Sequence, residues 1–146
     1  MASALEQVLT AVETVLAGID GVAIVTTDPG GMVTYPALSV AIAGQQRQEE
    51  QQGQTDWSLQ VEVGIAVEQA DAASLQGEVA RLFAAIGDAI EADRTLGGKV
   101  WDARMTDLDA VELIADGSAS RRPLAVSSAL VEIDYAHAEG DYQTLK

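Results

Sequence analysis

The sequence predicts an α+β domain in which two helices pack on one face of a mainly antiparallel sheet, in the order α-β-β-β-α-β-β. Three observations carry that expectation. Two stretches place apolar residues at helical spacing: Leu5, Val8, Leu9, Val12, Leu16 and Ile19 in the first, and Leu75, Val79, Leu82, Phe83, Ile86 and Ile90 in the second. Other stretches alternate apolar with polar or small residues, the pattern of a strand with one buried face. Between the two kinds of pattern stands Asp93-Arg94-Thr95-Leu96-Gly97-Gly98, which stops the second helix and sends the chain into Val100 and Trp101.

Ser3 and Glu6 have the spacing of a capping box, so the first helix begins there, and Gly18 and Gly21 end it. Residues 22–27 form a short strand, followed by the turn composition Asp28-Pro29-Gly30-Gly31. Leu38, Val40 and Ile42 define a second strand entered through Pro36. The clearest strand is the third, in which Trp57, Leu59, Val61, Val63, Ile65 and Val67 alternate with Ser58, Gln60, Glu62, Gly64, Ala66 and Glu68. Between them, residues 45–56 are too polar for a core and longer than a tight hairpin needs, and are expected to project as a mobile polar loop. Asp71 or Ser74 caps the second helix, whose Ala80, Ala84, Ala85 and Ala89 permit close approach to the sheet. Residues 100–105 and 110–115 read as one interrupted strand region. A turn at Asp116-Gly117-Ser118 precedes a last strand carrying Ala129, Val131, Ile133 and Tyr135.

With 146 residues, the chain has the length of one domain with one core, spanning 1–146. It contains no cysteine and one histidine, which excludes disulfides, thiolate metal sites and cysteine nucleophiles. No apolar run is long enough to span a bilayer and the first basic residue is Arg47, so a protein without membrane partner or signal peptide, made in a cytoplasm, is expected. Its 23 acidic residues against 8 basic ones give a formal charge of −15. Such a surface repels phosphate backbones and carries no basic stripe for reading nucleic acid. Solubility is the plain reading of the charge.

Chemical motifs fail one by one, and no catalytic residue, cofactor or metal site is assigned. Gly98-Lys99 lacks the glycine and hydroxyl that a phosphate loop needs, with Asp93 and Val100 in those places. Asp107 and Asp109 begin a calcium-loop spacing that Val111 and Glu112 break. His137 has no second histidine for zinc and reads as a surface residue beside Glu139 and Asp141; no nucleophile elbow supports a triad around it. A small enzyme or ligand-binding domain would have to use Asp93, Asp102 or His137 in a cleft beside the sheet.

Three strings, in this order along the chain, give a more specific reading: Tyr35-Pro36-Ala37-Leu38-Ser39-Val40 opening the first long strand, Asp93-Arg94-Thr95-Leu96-Gly97-Gly98-Lys99-Val100 after the second helix, and Asp134-Tyr135 ending the last strand before Glu139-Gly140-Asp141. With the order of elements, they make residues 1–142 resemble the tail terminator family of long-tailed bacteriophages. The chain departs from the family pattern at Lys99, where an apolar residue is usual. The resemblance implies a virion protein, assembled in the host cytoplasm, that forms a ring of six copies on the head-proximal end of the tail tube. Such a ring stops tube polymerisation and offers a docking surface to head–tail connector proteins. Its partners are then its own copies, the tube protein and the connector, with DNA only in passage through the channel. Six copies at −15 each carry a formal charge near −90, which keeps DNA from adhering to the channel wall. The candidate assembly interface comprises Gln45, Gln46, Arg47, Gln48, Glu49, Glu50, Gln51 and Gln52 in the polar loop, with Asp93, Arg94 and Leu96 after the second helix. Another neck or tail-tube protein of similar fold is the alternative within the same class.

Overall fold

The computed structural model describes residues 3–28, 34–51, 53–68, 72–114 and 124–146. The helices are α1 (Ala4–Ala17) and α2 (Ala72–Ala92). The strands are β1 (Ile24–Thr26), β2 (Ala37–Gln51), β3 (Gln54–Glu68), β4 (Asp102–Leu108), β5 (Glu112–Ile114), β6 (Leu124–Ala138) and β7 (Asp141–Leu145). Both helices lie on one face of a single sheet ordered β1-β2-β3-β6-β4, in which, among the described residues, the β1–β2 pair is parallel and the other pairs are antiparallel. The α+β expectation holds. The strand order gains two members: the region after α2 divides into β4 and β5, and residues 141–145 add β7. Strand β6 is the hub, because β3 pairs along its whole length on one side while β5, β4 and β7 follow one another along the other.

Local chemistry explains the helix ends. Ser3 is extended and its Oγ accepts a hydrogen bond from the Glu6 N–H at 3.1 Å, satisfying one of the donors that a helix start leaves free. Ser74 lies inside α2, and Asp71 falls outside the described residues, as do Pro29 to Gly31 and the turn expected at 116–118. Beyond Ala92 three successive residues are left-handed, Leu96 at φ 49°, Gly97 at 71° and Gly98 at 84°. Glycine adopts that conformation freely; Leu96 does not, and its side chain is held in place by burial, with 3% exposed.

The core lies between the helices and the inner face of β2, β3 and β6. Val8, Val12 and Leu16 of α1 and Leu82, Ile86 and Ile90 of α2 meet Val61, Val63, Ile65, Val131 and Ile133, all almost fully buried. Four side-chain expectations change. Phe83 is half-buried at the margin of this cluster rather than inside it. Ile42 is 46% exposed although it pairs with Val61 on the same face as Leu38 and Val40; the apolar run of β2 ends there, and a bulge between Ile42 and Gly44 follows. The alanines do not bring α2 onto the sheet: Ala80 and Ala84 are exposed, while Gly87 makes the close approach, since a Cβ there would sit 2.9 Å from the Met105 methyl group. His137 is not on the surface but 1% exposed.

The largest correction concerns residues 45–56. Among the described residues of this stretch, 45–51 and 54–56 are strand rather than loop, and Gly53 is in the turn: β2 continues through Gln51, with Gln45 opposite Leu59, Gln46 opposite Ser58, Arg47 opposite Trp57 and Gln51 opposite Gln54. Main-chain hydrogen bonds need no apolar side chains, and β3 is already paired to β6 along this stretch, so the ladder extends into polar sequence.

Candidate functional site

Two surfaces carry the residues singled out for assembly, and they sit at different places on the fold. Gln45, Gln46, Arg47 and Gln48 are exposed on β2. The backbones of Glu49, Glu50 and Gln51 continue the strand, and Gln52 lies outside the described residues. Strand β1 covers β2 only from Ala37 to Ser39, so the rest of this edge has no strand partner among the described residues. At the other edge of the sheet stands β4, preceded by the turn that contains Asp93, Arg94 and Leu96. The two surfaces are separated by the width of the sheet.

Around β2 the polar tip is anchored from below. Tyr135, 2% exposed, donates its O–H to Gln45 Oε1 at 2.9 Å, and burial pushes its phenol up to about 12 although that hydrogen bond acts the other way. Trp57 donates its indole N–H to His137 Nε2 at 2.9 Å. An indole nitrogen is a donor only, so His137 Nε2 must be unprotonated and the ring proton sits on Nδ1, donating to the Ala138 carbonyl at 2.9 Å. The Tyr142 ring covers the imidazole with centroids 4.3 Å apart while remaining 59% exposed itself. The hairpin end is tied to the β6–β7 turn by a hydrogen bond from the Glu139 N–H to the Gly53 carbonyl.

Around β4 the chemistry is ionic. Asp93 Oδ1 accepts from the Gly97 N–H and holds the turn closed. Arg94 is committed within the chain, donating from Nε and Nη2 to the two oxygens of Asp102 at 2.7 and 2.8 Å. Leu96 is buried and forms part of a groove floor instead of standing out from the surface. On the helix-free face, Arg104 donates to Asp102 at 3.1 Å, Asp134 at 3.0 Å and Glu132 at 2.6 Å, and Ser58 Oγ donates to Glu132. The Arg94 guanidinium foremost, then Arg104, holds the Asp102 carboxyl below its ordinary range; the Asp134 carboxylate chiefly raises Arg104. Sequence reading missed this network. Its signal was Asp-Ala-Arg at 102–104, one charged face of a strand, but the partners lie some 30 residues further along the chain and only the register brings them opposite.

Asp93, Asp102 and His137, the residues an enzyme would have used, are not gathered in one cleft. Asp93 closes its turn, Asp102 is clamped by two arginines, and His137 is sealed under Tyr142 by its own two hydrogen bonds. Among the described residues no three acidic or histidine side chains are grouped to hold a metal ion, and no helix is long and apolar enough to cross a membrane. Every buried side-chain polar atom among them has a hydrogen-bond partner. No protein-family model and no curated protein matches the chain. Among solved structures, it is similar to a chain described as "Virion of native gene transfer agent (GTA) particle", at 18% identity and a TM-score of 0.31, covering 89% of this chain and 92% of that one.

Proposed function

We propose that this chain is a structural protein of a phage-like virion, and more narrowly a tail terminator: a non-enzymatic subunit that forms a homohexameric ring on the head-proximal end of the tail tube, stops tube growth and presents a surface to the head connector. The ordered resemblance of three strings to the tail terminator family is the observation that carries the reading. The placement of the two candidate surfaces supports it. A ring of identical subunits needs two different lateral surfaces that meet head to tail, and this fold offers an uncovered β2 edge on one side and the β4 edge with its preceding turn on the other. A formal charge of −15 per subunit opposes association, so ring formation depends on salt, on concentration or on the tube as template.

Phage or transfer particles made without the protein test the function directly. Overlong tube polymers that fail to join heads are the expected outcome; tails of normal length on filled heads would overturn the reading. Sedimentation of the isolated protein tests the charge argument, since repulsion weakens as the screening length falls from about 30 Å at 0.01 M salt to about 8 Å at 0.15 M. A larger species growing with salt is expected.

A further inference from the structure

The helix layer has an outer side that the sheet does not use. There, between α1 and α2, two depressions of about 390 and 500 Å³ adjoin and share Val15 and Asp93, making one groove. Its apolar lining is Ala11 and Val15 from α1, Ala85 and Ala89 from α2, and Leu96 from the turn. Its lining runs along α1 from Gln7 and past the helix end to Ile19, which at about 1.5 Å per residue is close to the length of a three-turn helix. The three alanines in that lining allow another helix axis to come within the ordinary packing distance of about 8 to 10 Å.

The rim has the wrong charge for the helices that form it. Helix C-termini carry partial negative charge and favour cations, yet neither α1 nor α2 has a basic residue in its last turn. Acidic groups stand there instead: Asp20 just beyond α1, and Asp88 and Asp93 at the end of α2. Two cations line the groove as well: Lys99 shares its depression with Asp93, whose Oδ1 already accepts from the Gly97 N–H, and Arg81 lies on the Asp20 and Asp88 side but is bound to Glu78 at 2.6 Å, while Arg94 is turned onto Asp102. An apolar surface bordered by the carboxylates of Asp20 and Asp88 and by two helix C-termini is complementary to one kind of occupant.

We propose that this groove seats a cationic amphipathic helix of a partner protein, with its apolar stripe on the alanines and valine and its lysines or arginines beside Asp20 and Asp88. A second copy of this chain, itself at −15, is the wrong partner for that rim. The inference goes beyond the terminator reading and stands on the groove alone.

The test uses the full chain, isotopically labelled, with two amidated peptides of about 14 residues that share one leucine stripe and carry either lysine or glutamate elsewhere. The lysine peptide should shift the resonances of Ala11, Val15, Ala85 and Ala89 saturably, and its affinity should fall severalfold between about 0.05 and 0.3 M salt. The glutamate peptide should not bind. The D20N/D88N double variant, changed only at exposed positions, should lose affinity about fivefold or more, and Ala89→Trp, checked for an unchanged fold by circular dichroism, should block the groove. Shifts confined to the helix-free face around Glu132 and Asp134, no saturable binding, or undiminished affinity in the D20N/D88N variant would each overturn the proposal. So would a change in sedimentation of the peptide-free protein on Ala89→Trp, which would make a second copy the occupant. Tail length and head joining, the readouts of the terminator reading, are separate from all of these.

Discussion

The two ends of the β2–β3 hairpin are made of the same strands in the same ladder and are held by different forces. At its base, Leu38, Val40, Val61, Val63 and Ile65 are buried beneath both helices, and burial of apolar area holds them. At its tip, Gln45, Gln46, Arg47 and Gln48 are exposed, and what holds the strands is the pairing of β3 to β6 together with a small set of specific contacts from Tyr135, Trp57 and His137. The difference teaches that a strand needs a neighbour more than it needs an apolar face. A ladder carried outward from a packed base, even one interrupted by register shifts after Ile42 and after Arg47, can display a polar surface.

The sharpest way to break the comparison is to weaken the base. Ile65→Ala should cost about 2 to 5 kcal/mol, since it removes a buried side chain from the apolar cluster between sheet and helices. Denaturant unfolding should show base and tip lost together, because Tyr135 beneath the tip belongs to the same apolar cluster as the base and Trp57 packs against it. Next in size is the tip anchor: His137→Ala leaves the Trp57 indole N–H without its acceptor and should cost about 1 to 3 kcal/mol. Amide exchange should rise at residues 54–58 and 135–138 while the base stays protected; uniform acceleration would mean that the two ends are not separable.

Smaller still is the ionic network on the helix-free face. Arg104 is one-third exposed, so Arg104→Met should cost about 1 kcal/mol or less after solvent screening. The pH dependence sharpens this. The Asp102 carboxyl is lowered from its ordinary 3.8, chiefly by Arg94, so its contribution is complete above that value and is lost as pH falls through the lowered one. The margin of the wild-type protein over the Arg104→Met variant should therefore shrink in thermal melts taken progressively below pH 3.8. The smallest effect belongs to the tip surface: Gln46→Thr should change stability by no more than about 0.5 kcal/mol, because an exposed strand position tolerates a β-branched residue. A larger loss would show that Gln46 has a structural duty beyond display.

Periodicity determined a good deal by itself. The stripe of α1 with its Ser3 cap, the stripe of α2 with its glycine stop, and the alternation from Leu59 to Val67 are local patterns, fixed by how side chains project at 3.6 and 2 residues per turn, and they gave the α+β class. Tertiary structure decided whatever depends on a distant partner. Residues 45–51 are strand because β3 and β6 extend the ladder to meet them; their own composition points to a loop. His137 is buried because Trp57 and Tyr142, on other strands, close over it. Leu96 turns inward because the left-handed reversal after α2 aims it at the core. Asp102, Arg104, Glu132 and Asp134 form one network only through the β4–β6 register. A side chain's periodicity is written within a few residues, whereas the ladder, the cover and the charge across the sheet come from chain that folding alone brings near.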